Sequence, residues 1–412
     1  MQRRQFLKLG SLGTMAAFAG YPFASHARSD FKIKKIRYHA APGYNKPLFN
    51  QARGIVEVET DSGLIGIGEG GTPDMVRQCA EMLIGEDPFR IEHLWQYLYR
   101  GMFYPPGKEK LHGLGAIEMA LWDLKGKALD VPVYDLLGGK TRNYVECYAT
   151  GFRNSNASTM EGRAQDCLEA GLRCYRIGPT GGNGDMPFDF YEHSKKTIAL
   201  CQQLDKAVGG NGNWAVDLHT RFDTPEAIKI CDALEELEPY FVEDIIRSEN
   251  PEVYRTIRNQ TKVPIAVGEQ FGDRWDSNVL MENHLIDYSR VTLPNTGGIT
   301  ELKKIIAIGE THYVGIIPHF TGPLSTAALV HVLGSSSPTR CMIELAGGEP
   351  EKPAYFNQDF IDFREGKVHL NDRPGLGVAF DPKKAAFLFE VTKNTEFTHP
   401  YLKSPDGAIH NW

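Results

Sequence analysis

Three apolar segments constrain this chain more than any other feature, because each ends in a carboxylate and the carboxylates recur at intervals of 26 residues. They are Trp214-Ala215-Val216-Asp217, Tyr240-Phe241-Val242-Glu243 and Pro264-Ile265-Ala266-Val267-Gly268-Glu269. Runs this short and apolar read as buried strands, and the residues between them carry a helical pattern. The rhythm continues on both sides. Eight strands are predicted, at 144–148, 173–178, 214–219, 240–243, 265–269, 288–293, 314–319 and 341–345. Eight strands alternating with helices predict an α/β chain closed as a modified (β/α)8 TIM barrel over residues 141–350. Barrel enzymes keep their chemistry at the carboxyl ends of the strands, where all three acids fall.

Asp217, Glu243 and Glu269 would repel one another if simply left ionised on one side of a barrel mouth. A hard divalent cation removes the conflict, and oxygen ligands with room for water suit Mg²⁺. The first of these strands adds a histidine. Alternate side chains of a strand share a face, so Asp217 and His219 are expected to point the same way.

Residues 31–140 read differently, as an α+β unit. A strand at 31–38 and a breaker-rich loop at 42–50 precede a hairpin turning at Asp61-Ser62-Gly63. Helices are predicted at 73–84, 91–99 and 115–129, the last with Asp123 and Lys127 four residues apart on its polar side. Residues 351–412 lose the barrel rhythm and are expected to return to this unit, making a capping domain from both ends of the chain. Ahead of it all, Arg3-Arg4 precede Phe6-Leu7-Lys8, a weakly apolar run and Ser25-His26-Ala27. Residues 1–27 therefore resemble a twin-arginine export signal, which implies a periplasmic protein. That run is too short and weak to span a bilayer, and no other segment is long enough. A net charge of -7 with no basic block argues against nucleic acid as a partner. The seven cysteines are scattered, without a CxxC, and read as core residues with one incidental disulfide left open.

Five motifs carry a resemblance to a known family: Ala116-Ile117-Glu118-Met119-Ala120-Leu121-Trp122-Asp123-Leu124-Lys125-Gly126-Lys127, the three-acid ladder, Gly297-Gly298-Ile299-Thr300-Glu301, Pro318-His319 and Pro374-Gly375-Leu376-Gly377. Together they resemble the enolase superfamily, in its mandelate racemase/muconate-lactonizing branch, and the resemblance covers residues 31 to about 381. It implies Mg²⁺ on Asp217, Glu243 and Glu269, a small-molecule acid substrate, a homo-oligomer, and removal of a proton α to a carboxylate.

The remaining strand ends select within that family. Racemase-like members carry a Lys-x-Lys pair on the second strand, where this chain has Cys174-Tyr175-Arg176. An arginine is a poor base, which leaves Arg176 as an anion contact. His219 resembles the histidine that protonates the departing hydroxyl in sugar-acid dehydratases of the galactonate and mannonate type, and His319 matches the base for the C2 proton. Many relatives orient that base with an aspartate on strand six, and Thr292 stands there instead. A tyrosine could substitute, with Tyr148 and Tyr44 as candidates. Glu344 resembles the acid that hydrogen-bonds the substrate carboxylate when it holds a proton, and Tyr44, Asn45 and Lys46 of the 42–50 loop are placed to select the far end of a polyol. The expected activity is Mg²⁺-dependent conversion of an aldonate to a 2-keto-3-deoxy acid. Racemisation on the same metal site, or sugar-acid binding without turnover, stay open as alternatives.

Overall fold

The computed structural model describes residues 31–48, 51–101, 103–178, 187–337, 340–395 and 403–411. The export signal expected at 1–27 lies outside these residues, as do residues 49–50 of the capping loop.

Strands β1 (Ile33–Ala40), β2 (Gly54–Thr60) and β3 (Ile65–Glu69) form an antiparallel meander. The hairpin sequence dictates it: Gly63 takes φ +83° in the turn, and β2 buries most of its side chains under helices. The main covering helix, Lys108–Leu129, starts seven residues earlier than the pattern predicts. Gly66 and Gly68 of β3 let it approach, since a Cβ on either would lie about 2 Å from a helix carbonyl (2.1 and 1.9 Å). Asp123 is not on a polar face. It is fully buried, accepts from the Ile67 and Leu376 amides at 2.9 and 2.8 Å, and pairs with Lys127 at 2.6 Å.

Eight parallel strands follow: β4 (Tyr144–Thr150), β5 (Tyr175–Ile177), β6 (Trp214–Asp217), β7 (Val242–Glu243), β8 (Ile265–Val267), β9 (Tyr288–Ser289), β10 (Gly315–Ile316) and β11 (Met342–Ala346). Each pairs with the next from β4 to β10, β11 pairs with β4, and a parallel bridge between Ile316 and Cys341 joins the last gap. All eight predicted strands are present, mostly with narrower limits. The inside of the ring is filled by Tyr148, Cys174, Ala215, Phe241, Ala266, Tyr288, Ile317 and Met342, one from each strand or its flanking residue. A packed apolar layer thus closes the barrel beneath its carboxyl ends.

The tail divides. The hairpin β12 (Asp362–Arg364) and β13 (Lys367–His369) joins the barrel sheet beside β4, whereas β14 (Ala386–Val391) pairs with β1. All seven cysteines are buried and free. No helix among the described residues is long and apolar enough to cross a membrane.

The cap and barrel are joined by buried acids at helix ends. The barrel helices Ile299–Thr311 and Pro323–Gly334 start after Gly298 and Gly322, which offer no side chain to satisfy the first amides. Glu118 of the cap accepts from the Ile299 and Thr300 amides at 2.7 and 2.8 Å, and Glu69 from the Ser325 amide at 2.9 Å. Glycine is required at both starts, because a Cβ would fall 2.1 Å from Glu118 and 2.4 Å from Glu69. These two helices follow the strands that carry Arg290 and His319.

Candidate active site

Two residues beyond each member of the apolar layer, the strand period returns a side chain to the barrel axis. The eight positions are Thr150, Arg176, Asp217, Glu243, Gly268, Arg290, His319 and Glu344, a polar layer resting on an apolar one. Gly268 has φ +147°, and a Cβ there would meet the Val291 nitrogen at 2.7 Å. The chain turns at that point, so Glu269 stands one residue beyond the layer.

Two guanidiniums organise the layer. Arg176 gives Nη1 to Asp217 (2.6 Å) and Glu243 (2.9 Å), Nη2 to Glu344 (2.8 Å) and Nε to Thr150 (2.9 Å). Arg290 pairs through Nε with Glu243 at 2.6 Å and through Nη2 with Glu344 at 2.7 Å, and it donates to the Tyr148 hydroxyl below. Arg176 was expected to contact a substrate anion; here its donors face the protein's own carboxylates. Glu344 was expected to donate a proton to the substrate. Burial raises its pKa, but the Arg176 and Arg290 charges outweigh burial and hold it well below the usual carboxylate range. In this arrangement it accepts, from Arg176, Arg290 and Thr150.

The strand carrying Asp217 ends there and does not run on to His219. His219 and Thr220 adopt left-handed backbone at φ +52° and +57°. That turn folds His219 back on Asp217, with its amide on Oδ1 at 2.6 Å and its Nδ1 on Oδ2 at 3.1 Å. The hydrogen bond to Asp217 outweighs partial burial and raises the pKa of His219, favouring the imidazolium. Its side chain is 53% exposed, so the proton is deliverable.

His319 is buried. Its Nδ1 lies 3.1 Å from Glu344 and 3.5 Å from Glu269, and its Nε2 lies 3.0 Å from the Gln51 amide of the cap. Glu344 is therefore the carboxylate partner that strand six lacks. Thr292 is buried, and its hydroxyl has no partner among the described residues. Tyr148 sits under Arg290 in the apolar layer, while Tyr44 packs edge-on against Tyr38 in the cap, 6.4 Å between centroids. Glu269 reaches toward both histidines, at 3.8 Å from His219 and 3.5 Å from His319.

Sequence reasoning missed Arg290, Asp244 and Gln51. Arg290 was detectable: it follows the inward-facing Tyr288 by two residues in an apolar strand, and buried arginines are rare without paired acids. Asp244 is buried, with one oxygen lacking a partner, and its acid oxygens cluster with those of Asp217 and Glu243 within 4.8 Å. Burial and the neighbouring Glu269 and Asp217 push its pKa well up. Around the site, five carboxylates face two guanidiniums. This surplus of hard oxygen donors fits a divalent cation such as Mg²⁺.

Residues 159–384 match the family model described as enolase C-terminal domain-like, and residues 48–138 match the mandelate racemase/muconate lactonizing enzyme N-terminal domain. The chain belongs to the enolase superfamily. It is 32% identical over 399 residues to a D-mannonate dehydratase from Sphingomonas sp. (strain SKA58), covering 87% of this chain and 95% of that protein. It is 30% identical over 375 residues to a D-galactonate dehydratase from Pectobacterium atrosepticum, covering 87% and 96%. Among solved structures it is similar to an enolase from Pantoea ananatis with bound D-gluconate and Mg, with a TM-score of 0.76 at 26% identity over 93% of this chain and 100% of that one. As a superfamily member whose relatives are dehydratases by name, the protein is an enzyme of the lyase class.

Proposed function

We propose that the protein is a Mg²⁺-dependent dehydratase of an aldonate, forming a 2-keto-3-deoxy acid. The supporting observation is the pair of histidines just beyond the carboxyl ends of β6 and β10, the third and seventh strands of the ring, which flank Glu269 in contrasting surroundings. The His319 imidazole has its Nδ1 on an ionised carboxylate, which leaves Nε2 to accept the C2 proton. As the C2–H bond breaks, its electron pair moves toward the substrate carboxylate. His219, kept protonated by Asp217, donates to the C3 hydroxyl, which leaves as water. The resulting enol takes a proton at C3 and loses that of its C2 hydroxyl to become the keto acid.

Asp217 and Glu243 would hold the Mg²⁺, with Glu269 completing the family's set and Asp244 in the same acidic group. When bound, the ion supplies positive charge to a carboxylate that becomes more negative during proton removal. The names of the relatives, and the D-gluconate in the Pantoea structure, support an aldonate as the substrate class. Racemisation needs a second base, and Arg176, with its donors spent on three carboxylates and a threonine, does not provide one. We also propose export through the Arg3-Arg4 signal, with assembly as a homo-oligomer.

The test is a screen of the purified, Mg²⁺-loaded protein against a broad set of sugar acids, assayed for 2-keto-3-deoxy acids. Product from one or a few aldonates is expected. Its absence across the set sinks the reading.

A further inference from the structure

Among the described residues, a cap side chain, that of Gln51, meets the site at His319. Gln51 is half-buried, and the described residues around it are tied by backbone bonds: Ala41 to Arg53, Asn45 to Ala52 and Gln51 to Leu48. Two residues on, Arg53 pairs with Glu351 beyond β11 at 3.0 Å. Gln51 itself places its amide nitrogen 3.0 Å from His319 Nε2. We infer that Gln51 is a positioning residue for His319, holding the imidazole from the cap side so that its Nε2 lone pair is aimed at the substrate space. This rests on the dehydratase reading, in which that lone pair accepts the C2 proton.

The tautomer follows from what surrounds the ring. Glu344 Oε2 lies 3.1 Å from Nδ1 and, held ionised between Arg176 and Arg290, can only accept. Arg290 Nη2 is 3.3 Å from Nδ1 but has Glu344 nearer, at 2.7 Å. Nδ1 therefore carries the hydrogen, and Nε2 presents the lone pair that the Gln51 amide N–H meets. With Glu344 at one nitrogen and Gln51 at the other, the ring is fixed about both of its torsions. A single contact at Nδ1 would leave it free to swing on that bond.

The arrangement has a second consequence. The lone pair cannot serve Gln51 and the C2 proton together, so as substrate enters the amide must tilt off the lone pair, and to keep orienting the ring its side chain must stay against the ring's edge. A cavity of about 80 Å³ adjoins the contact, walled by Arg53, Thr321, Thr326, Glu344 and Glu349, and offers polar space for the displaced amide. Entry of substrate and orientation of the base thus meet at the same side chain.

Gln51→Met keeps the length and removes the hydrogen-bond donor, and Gln51→Ala removes both. In ¹⁵N-histidine-labelled protein without substrate, the His319 Nε2 resonance, assigned by its loss in His319→Asn, is expected to shift in Gln51→Met while Nδ1 stays in place. With an aldonate that the wild type turns over, both variants should lose about tenfold in kcat, with KM unchanged or lower because the competing amide is gone. An unmoved Nε2 resonance overturns the inference, and so does a raised KM with kcat intact, which would make Gln51 only a binding contact. If the wild type forms no keto acid, the dehydratase reading fails by itself, and the resonance still decides whether Gln51 holds the ring.

Discussion

The two histidines share a barrel mouth and have opposite surroundings. His319 is buried, pinned at Nδ1 by Glu344, met at Nε2 by the cap, and followed by a helix whose first turn is held by Glu69. His219 is half exposed on a left-handed turn and is held by Asp217, a residue of its own strand end. One imidazole is built into the junction of two domains and the other into a local turn. The difference suits their proposed tasks: accepting a proton from carbon demands a fixed direction, whereas delivering one to a leaving hydroxyl demands a raised pKa and access.

The sharpest way to break this comparison is to remove each histidine and ask which step survives. His319→Asn should abolish both dehydration and exchange of the C2 proton with solvent deuterium. His219→Asn should lower dehydration by about 10²- to 10⁴-fold, the usual worth of a general acid, while exchange at C2 and affinity for the acid persist. If His219→Asn loses exchange and His319→Asn keeps it, the roles are reversed.

The next largest effect concerns the framework behind His319. Arg290 is fully buried between Glu243 and Glu344, and removing one partner of a buried ion pair leaves an uncompensated charge. Arg290→Met should destabilise the fold by about 3–5 kcal/mol, read in denaturant melts. A second change, Glu344→Gln, should recover part of that loss, since the pair is then removed together. Asp217→Asn should cost less in stability than Arg290→Met, because Arg176 keeps its bonds to Glu243 and Glu344, while turnover falls with the support of His219. Equal losses in stability for the two substitutions would erase the distinction between a domain-built and a locally built imidazole.

How much of this was legible in the sequence follows the range of the interactions. The barrel was readable because its period is local: each apolar run and each strand-end acid is visible within a few residues of itself. Asp217-Leu218-His219 was readable as a unit for the same reason, although the left-handed turn that joins its ends was not, because strand alternation gave the same neighbours by a different geometry. The partners of His319 were not readable. Gln51 is 268 residues away in the chain, and Glu344 replaces an expected strand-six acid from a strand two places further round the ring. Arg290 left a trace in the strand pattern that the search for an aspartate at Thr292 passed over. Asp123 misled for a related reason. Its spacing to Lys127 is that of a surface pair, yet both ends of the chain fold over it.

The smallest predicted effect tests the clamp on the His319 side directly. Burial raises the pKa of Glu69 to about 7, against the lowering effect of the Ser325 amide, and its Oε1 has no partner among the described residues. A carboxyl whose pKa is higher in the folded than in the unfolded chain binds more protons when folded, so stability falls as pH rises through the interval between the two values. For Glu69 that interval runs from the ordinary value of 4.5 to about 7. At 1.36 kcal/mol per pKa unit the full change is about 3 kcal/mol, lost between mildly acidic and neutral pH. Glu69→Gln cannot ionise and still offers an oxygen to the Ser325 amide, so it should flatten that part of the stability–pH curve. His219 is remote from this contact, and its hydrogen bond to Asp217 should be unaffected by the substitution. A Glu69→Gln protein whose stability falls with pH as steeply as the wild type's would show that this junction is not where the cap's proton-linked energy resides.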